Sequence, residues 1–348
     1  MTGTFKTHVT DGLIRERKGY EEKVEILWFF IKKKLKSSLF RYFYFHVVAF
    51  SLMLVETGIF LSACIISGKT FLPAFVLACF FLTFFGFLIL RLYLRSRKPE
   101  IRQSLSELYL NKVKEIIGYK ENSYRHQILL ASAAQSLAVR LQDWEYALLQ
   151  SWSFFIRAPS FLRKVSGFCF WKDVVYFREN LLERAVDLHL NAVKKEPIDL
   201  KAHASLADAF VLLSGLYADP RKYPEFEGED WIPETRYSNE TRDKFRNCAE
   251  RAIEEFKILN DYFPGNTWVH TQLAYSYHDL QMPEEEIGQY EILLNLRPSD
   301  EDIMFKLGML YFRQGMNSSG LRIYEILKKI NYNKSQKLIN FYGSFFIY

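Results

Sequence analysis

The sequence predicts an all-α protein in which a transmembrane helical hairpin is followed by an α-solenoid of stacked helix pairs. Two observations predict this fold class. Residues 43–90 contain two apolar stretches with only four residues between them, and each is long enough to cross a hydrocarbon core of about 30 Å. Residues 197–332 repeat one pattern of bulky, small and aromatic residues with a 34-residue period that an insertion lengthens in the first unit, and a period of that length is typical of helical repeat arrays.

Three repeat units begin at Leu200, Thr267 and Glu301, and the same kinds of residue return at positions 4, 7, 8 and 11 of each unit. The residues at these positions are His203, Leu206, Ala207 and Phe210 in the first unit, His270, Leu273, Ala274 and Tyr277 in the second, and Met304, Leu307, Gly308 and Tyr311 in the third. The small residue at position 8 lets two antiparallel helices cross closely. The pattern therefore favours stacked helix pairs over an ordinary bundle, which has no such period.

This period and these positions resemble the tetratricopeptide repeat, whose motif has Leu-Gly at positions 7 and 8, Ala at position 20 and Pro at position 32. The resemblance covers residues 200–334 and implies helix pairs that stack into a superhelix with a concave groove. Three residues depart from the motif, namely Glu286 and Gly320 at position 20 and Tyr332 at position 32. We expect these departures to loosen the second helices while leaving the register intact.

Further segments are predicted around and within this array. Residues 91–127 are expected to form a connecting helix, and residues 128–199 to form degenerate repeat-like helices that extend the array to five helix pairs. Residues 214–242 delay the second helix of the first unit and form an acidic insertion, which is either a passive loop or a binding element. Residues 338–348 are apolar and aromatic, and residues 335–348 are expected to cap the last repeat.

The first 42 residues carry a formal net charge of +5 and are expected to lie in the cytosol. Residues 1–19 are polar, contain three glycines and show no helical period, so we predict disorder there. From residue 20 to residue 42, apolar residues line one side and lysines crowd the next turn, which predicts a basic amphipathic helix. Such a helix either lies on a membrane surface or is a solvated lead into the next segment.

The apolar hairpin is predicted to span residues 43–66 and 71–90, and its second stretch contains no charged residue. Basic residues flank it at 32–41 and at 91–98. Because positive charge is retained in the cytoplasm, both soluble parts are predicted on the cytoplasmic side of a multi-pass protein, in the bacterial inner membrane. A buried pair of soluble helices is the alternative. A cleaved signal peptide does not fit a doubled apolar span.

Glu56 is the ionisable residue well inside the first span. A carboxylate in hydrocarbon costs at least a few kcal/mol unless it is protonated or paired. A hydrogen bond to Thr83 or to a neighbouring chain would satisfy it, and so would a shift of the span toward the interface. A proton or ion pathway is the functional alternative, which a second ionisable residue in the spans would favour.

The residues that usually carry catalysis or cofactor binding show no recognisable arrangement in this chain. There is no Gly-rich phosphate loop, zinc-spaced His and Glu pair, nucleophile elbow or kinase signature. The four cysteines lack ligand or pairing spacing, and His189, His203 and His270 fall on packing positions of the repeat. Residues 99–348 hold 31 basic and 34 acidic residues, which disfavours nucleic-acid binding. We therefore predict no enzyme activity, cofactor, metal or small-molecule substrate.

The tetratricopeptide resemblance implies that positions 2, 5, 9, 12 and 13 of each first helix line the concave groove. The residues predicted to bind a partner there are Trp268, Thr271, Tyr275, His278, Phe305, Met309, Phe312 and Arg313. The Lys, Asn and Arg set with which some family members grip a terminal carboxylate is missing, since Ala204, Asp208 and Asp302 stand at such positions. An aromatic groove predicts an apolar or aromatic peptide as the partner. The alternative occupant is the chain's own aromatic tail.

Together these features predict a membrane-anchored scaffold or adaptor, with the lipid bilayer contacted through residues 43–90 and a protein partner bound in the groove. The paired apolar lobes of residues 43–90 also resemble the bilobed segment of chlamydial inclusion membrane proteins. That resemblance implies an alternative, a secreted protein that presents its repeat domain to host cytosol. A transporter that uses Glu56 is a third class.

Overall fold

The computed structural model describes residues 4–67, 71–150, 159–222 and 231–345, and this part of the chain is helical without strands. Contacts divide the chain into two compact units. The first comprises Met1–Ala185 with Pro220–Pro233, and the second comprises Val186–Asp219 with Glu234–Tyr348.

The helices of the N-terminal half include two of unusual length. They are α1 (Thr4–Ser67), α2 (Leu72–Ile117), α3 (Tyr124–Arg140), α4 (Trp144–Ala147) and α5 (Pro159–Lys195). The remaining α-helices are shorter and follow one another at regular intervals. They are α6 (Leu200–Tyr217), α7 (Asn239–Tyr262), α8 (Thr267–Asp279), α9 (Pro283–Leu296), α10 (Glu301–Arg313), α11 (Asn317–Ile330) and α12 (Tyr332–Phe345).

Helices α1 and α2 pack against each other, and both are long and apolar enough to cross a membrane. The most apolar 18-residue windows of the two helices have mean hydropathies of 2.0 and 2.5, and 6% of each window is buried within the protein. Ile65, Phe71 and Leu82 are each more than three-quarters exposed. A helix of the same composition in a soluble core would be mostly buried, so the exposure leaves this apolar surface unpartnered within the chain.

Two boundaries in this half differ from the predicted ones. Helix α1 begins at Thr4, so the prediction of a disordered segment over residues 1–19 is wrong. Extending a helix that already exists costs far less than starting one, which lets α1 continue through a stretch with a weak period of its own. Helix α2 likewise runs unbroken from Leu72 past Pro99 to Ile117, so the connecting helix is a continuation of the second apolar span. Residues 68–70 of the predicted turn lie outside the described residues.

The prediction of two degenerate repeats over residues 128–199 is also wrong. Helix α4 has 4 residues and α5 is a single helix of 37 residues, where two shorter helices were expected. No proline interrupts the chain between Pro159 and Pro197, so nothing ends the helix before Lys195. Within the described residues the 34-residue register accordingly applies to three helix pairs, α6/α7, α8/α9 and α10/α11.

The insertion in the first repeat unit is shorter than predicted, because helices extend into it from both ends. Helix α6 continues to Tyr217 and α7 begins at Asn239, with short 3-10 helices at Pro220–Lys222 and Glu234–Tyr237. The acidic residues between 223 and 230 lie outside the described residues. Trp231 packs its ring edge-on against Phe168 at 5.1 Å, and its carbonyl accepts a hydrogen bond from the Tyr146 hydroxyl.

In the second compact unit, the same capping interaction occurs at the start of the first helix of each repeat. Asp199, Asn266 and Asp300 immediately precede α6, α8 and α10, and each side chain accepts a hydrogen bond from the backbone N–H two residues later. Such caps satisfy backbone donors that the first helical turn leaves open. The caps place the three first helices in equivalent registers.

Two buried histidines form a second repeated interaction. The Nε2 atoms of His203 and His270 hydrogen-bond the carbonyls of Pro197 and Pro264 at 3.0 and 2.9 Å. Their Nδ1 atoms hydrogen-bond the side chains of Glu255 and Gln289, which occupy the same position of the following helix, at 2.6 and 2.8 Å. His189 is fully buried as well, and burial lowers its pKa to about 4. In the third unit the equivalent pair is the apolar Met304 and Ile323.

The hydrogen bonds of His203 predict a pH dependence of stability that one substitution removes. Although burial opposes the charged ring, the hydrogen bonds to Glu255 and to the Pro197 carbonyl raise the pKa of His203. A raised folded-state pKa adds stability below the unfolded value of about 6.5, and that stability is lost as the pH rises through the folded value. Glu255→Gln should reproduce the His–Gln hydrogen bond of His270 and Gln289, lower stability by about 1 kcal/mol in acid and flatten the pH profile.

Hydrogen exchange of α6 and α7 peptides at a series of pH values measures this effect. Gln289→Glu is the matched reverse substitution and should introduce the same dependence at His270. A profile for Glu255→Gln with the slope of the wild-type protein would contradict the assignment.

Candidate functional site

Four of the predicted partner-binding residues form one stripe on α8. Trp268, Thr271, Tyr275 and His278 are spaced by three, four and three residues, which places them on the same face of a helix. We call this set the α8 patch. Trp268 is 41% exposed and Tyr275 is 46% exposed, and Thr271 is half-buried with its hydroxyl donating to the Thr267 carbonyl.

Each aromatic ring of the α8 patch contacts a neighbouring side chain, while part of its surface stays exposed. The Trp268 ring lies edge-on to Phe256 at 5.7 Å, and Phe256 is fully buried. Lys306 of α10 lies over the Tyr275 ring at 5.0 Å, and its Nζ donates to the Tyr275 hydroxyl at 3.4 Å. Rings that are already held in place lose little side-chain entropy when they bind.

His278 adds a titratable group at the C-terminal end of the α8 patch. Its Nδ1 lies 3.1 Å from a carboxylate oxygen of Glu286, which is buried, whereas the His278 side chain is 54% exposed. The hydrogen bond to Glu286 raises the pKa of His278, and partial burial opposes that shift. The imidazolium is therefore favoured over a wider pH range than in a free histidine, with the Glu286 side chain as its partner.

In the second and third repeat units, the residue at position 12 fits against the residue at position 20. Position 12 is His278 in the second unit and Phe312 in the third, and position 20 is Glu286 and Gly320. His278 pairs with Glu286, and a Cβ added to Gly320 would lie 2.6 Å from Cδ1 of the Phe312 ring. Glu286 and Gly320, which depart from the motif at position 20, thus each accommodate the residue at position 12 of their own repeat unit.

Part of the α10 face of the predicted groove is covered by α12. Phe312 is buried at 4% exposure and its ring lies 4.6 Å from that of Tyr342. Phe305 and Met309 are half-buried and pack in the same cluster as Phe341 and Tyr342. Arg313 is exposed and its guanidinium lies over the Phe341 ring at 5.5 Å. In this part of the face the chain's own C-terminal helix is the occupant.

The close fit of α12 depends on Gly308, which holds the small position of the third unit. A Cβ at Gly308 would lie 2.7 Å from Cδ2 of Leu338, and Leu338 is fully buried. The sequence showed that residues 338–348 are apolar and aromatic, but not that one leucine would fill the space above Gly308. The exposed residues among those predicted to bind a partner therefore lie in the α8 patch and at Arg313.

In the first compact unit, Glu56 has the partner that the sequence suggested. Thr83 Oγ1 of α2 donates a hydrogen bond to Glu56 Oε1 of α1 at 2.8 Å. An interhelical hydrogen bond of this kind contributes roughly 0.6–2 kcal/mol between helices in a bilayer. The carboxyl group thus helps to join the two apolar helices.

Sequence reasoning missed a buried carboxylate in the same unit. Asp173 of α5 lies 2.5 Å from Lys98 Nζ and 2.7 Å from Arg102 Nη1, and its side chain is 8% exposed. Lys98 and Arg102 belong to the basic stretch of α2 that follows the second span. The separation of more than seventy residues hides this cluster from local pattern analysis. Among the described residues, no group of three or more His, Cys, Asp or Glu side chains could hold a metal ion.

Comparisons with known proteins find likeness in structure but not in sequence families. No protein-family model matches the chain, and no curated protein matches it. TTC0263, a thermophilic TPR protein from Thermus thermophilus, is 17% identical, with 62% of this chain and 97% of that chain covered and a TM-score of 0.30. YrrB, a TPR protein with an unusual peptide-binding site, is 12% identical, with coverages of 66% and 97% and a TM-score of 0.32.

MamA from Desulfovibrio magneticus RS-1 is a third such structure, at 11% identity, coverages of 60% and 96% and a TM-score of 0.30. TM-scores of this size carry no conclusion about a site or a partner. Three repeated features within this chain place its second compact unit in a tetratricopeptide-like register. They are the helix caps, the histidine hydrogen bonds and the pairs at positions 12 and 20.

Proposed function

We propose that this protein is a membrane-anchored scaffold that binds a protein partner through the α8 patch. Residues 43–90 form the anchor as a two-span hairpin. The helix pairs of the second unit present the binding face. The partner is expected to contribute an apolar or aromatic segment.

The observation that carries the proposal is the exposure of two supported aromatic rings on one stripe. Trp268 and Tyr275 leave 41% and 46% of their surface open, although both have neighbours that fix their position. Trp and Tyr are the residues most enriched among those that dominate binding energy at protein interfaces. An aromatic side chain or short apolar helix of a partner would fit between them, with Arg313 favouring acidic residues at its edge.

The binding site proposed here is narrower than the groove expected from the repeat register. Phe312 is packed against Tyr342 of α12, and Phe305 and Met309 are half-buried against the same core cluster. We therefore assign these three residues to the support of α10 and not to the contact surface. The α8 patch and Arg313 remain as the groups that meet a partner. The chain's own C-terminal helix can thus fill part of the aromatic groove while the rest of the groove binds a partner.

The anchoring half of the proposal is supported by the exposed apolar surfaces of α1 and α2. Large apolar side chains cover both spans, and Leu54, Phe71, Leu82 and Ile65 are among the most exposed of them. Contiguous surfaces of this kind are costly in water and favourable in hydrocarbon. Basic residues precede the first span and follow the second, which supports a cytoplasmic location for both soluble parts in a bacterial cell.

Capture of partners by the full chain from native membranes tests the binding face. Trp268→Ala combined with Tyr275→Ala should weaken binding of the captured partner by about 30-fold or more, since two such anchors together commonly contribute over 2 kcal/mol. Binding is measured by titrating the purified partner against the detergent-solubilised protein.

The matched control replaces two aromatic residues that lie off the α8 face. Tyr262 and Tyr332 are 57% and 60% exposed, so Tyr262→Ala with Tyr332→Ala removes a similar exposed area. Binding should stay within about twofold of the wild-type protein, because exposed residues outside an interface core contribute little. Equal losses in the two variants, or no loss in the first, would refute the α8 assignment.

A further inference from the structure

We infer that the first unit contains a binding site for the phosphate of an anionic phospholipid headgroup, in a basic cavity where the apolar hairpin ends. This inference rests on the proposed membrane anchoring. It adds a specific lipid class to it.

The cavity lies between α1, α2 and α5 and has a volume of about 340 Å³. That volume is at the lower end of the range for small-molecule sites. Its polar lining consists mainly of cationic side chains from two helices. They are Arg91, Arg95, Lys98 and Arg102 of α2 and Lys172 of α5, with Asp173 as the acidic residue among them.

The four α2 residues are spaced by four, three and four positions, so they form a single stripe on one helix face. Lys98 and Arg102 at its far end are paired with Asp173. Arg91, Arg95 and Lys172 are exposed, and none of the described carboxylates lies within ion-pair distance of them. The lining thus carries a formal net charge of +4.

Cations that converge on one cavity repel one another unless an anion lies between them. Asp173 compensates one charge and also fixes Lys98 and Arg102 toward the cavity. Arginine presents a planar fork of donors that matches two phosphate oxygens. The arrangement is therefore suited to a phosphate group more than to a carboxylate of a peptide, which would need one such fork.

The position of the cavity identifies the source of the phosphate. Tyr42 and His46 line it where the first apolar span begins, and Arg91 lines it where the second span ends. This level is where phospholipid phosphates lie when the hairpin crosses a bilayer. Basic pockets between membrane helices on the cytoplasmic side bind anionic headgroups in this way.

Native mass spectrometry of the full chain in neutral detergent tests the site, with phosphatidylglycerol, phosphatidylcholine and inorganic phosphate as probes. Phosphatidylglycerol should bind at least about tenfold more tightly than phosphatidylcholine, because each basic residue near an anionic lipid strengthens its attraction severalfold. Arg91→Gln with Arg95→Gln should remove that preference. Both residues are exposed, so the fold should tolerate the change.

The matched control is Arg41→Gln with Arg97→Gln. These exposed residues belong to the same basic flanks but do not line the cavity, and the preference should stay within about twofold of the wild-type protein because surface charges act weakly and without a fixed site. Equal loss in both variants, or none in the first, would overturn the site. Displacement of the lipid by inorganic phosphate at equal concentration would show a free-phosphate site instead and overturn the lipid assignment.

Membrane fractionation separates failure of this inference from failure of the proposed anchoring. Recovery of the full chain without detergent would refute the anchoring, whereas a membrane-bound chain that holds both lipids equally would refute the headgroup site alone.

Discussion

Asp173→Asn is expected to destabilise the first compact unit by about 3 kcal/mol, because it leaves two cations without their carboxylate. Lys98 and Arg102 are 27% and 17% exposed and both hydrogen-bond Asp173. Solvent reaches them in part, which puts the expected loss at the lower end of the range for a broken buried pair. Unfolding of the full chain in mixed micelles with increasing SDS, followed by tryptophan fluorescence, measures the change.

The control for this prediction is a surface ion pair on the same helix. Arg97 lies 3.4 Å from Glu100, and their side chains are 55% and 67% exposed. Glu100→Gln should therefore cost less than about 1 kcal/mol. If Asp173→Asn proved as mild as Glu100→Gln, the buried cluster would not be holding α2 to α5.

Gly320→Ala and Gly288→Ala are expected to change stability in opposite directions, by about 2–3 kcal/mol relative to each other. A Cβ at Gly320 would lie 2.6 and 2.8 Å from atoms of the Phe312 ring. That ring is buried against Tyr342, so overpacking should cost about 1–3 kcal/mol and exceed the gain in helix propensity. Gly288 has no atom within 4 Å of such a Cβ, and alanine there should stabilise by about 0.5–1 kcal/mol.

Hydrogen exchange of peptides from α9 to α12 reports both substitutions in the full chain. The Phe312→Val background supplies the decisive comparison, since Val211 and Ala252 hold positions 12 and 20 in the first unit. With the ring removed, Gly320→Ala should become stabilising. A destabilising effect of unchanged size in that background would show that Phe312 is not the group that Gly320 accommodates.

The register of the second unit could be predicted because its signals are local and recur. Each first helix has an Asx residue before it and a small residue at position 8, and both spacings can be counted along the chain. Glu56 and Thr83 could likewise be paired in advance, because a lone carboxyl group between two apolar helices has few possible partners. Those inferences needed only helical periodicity and the cost of burying a polar group.

Other features could not be predicted, since they depend on contacts between distant residues or on the absence of a stop signal. Phe312 fits the groove pattern, but whether it is exposed depends on where Tyr342 packs. The α5 helix continues because nothing ends it, although a repeat pattern suggested two helices. The Asp173 cluster joins side chains more than seventy residues apart, and a single aspartate in a helix carries no sequence signal of that contact.

The central claim is that the hairpin crosses a bilayer and leaves both flanking parts on the same side. The most direct measurement is labelling of single cysteines by a membrane-impermeant maleimide in intact bacterial cells that express the full chain without its four native cysteines. Glu22→Cys and Asn333→Cys should react only after permeabilisation, and Phe71→Cys, at the turn between the spans, should react in intact cells. The claim would be contradicted if all three positions reacted alike or if the chain remained in the soluble fraction.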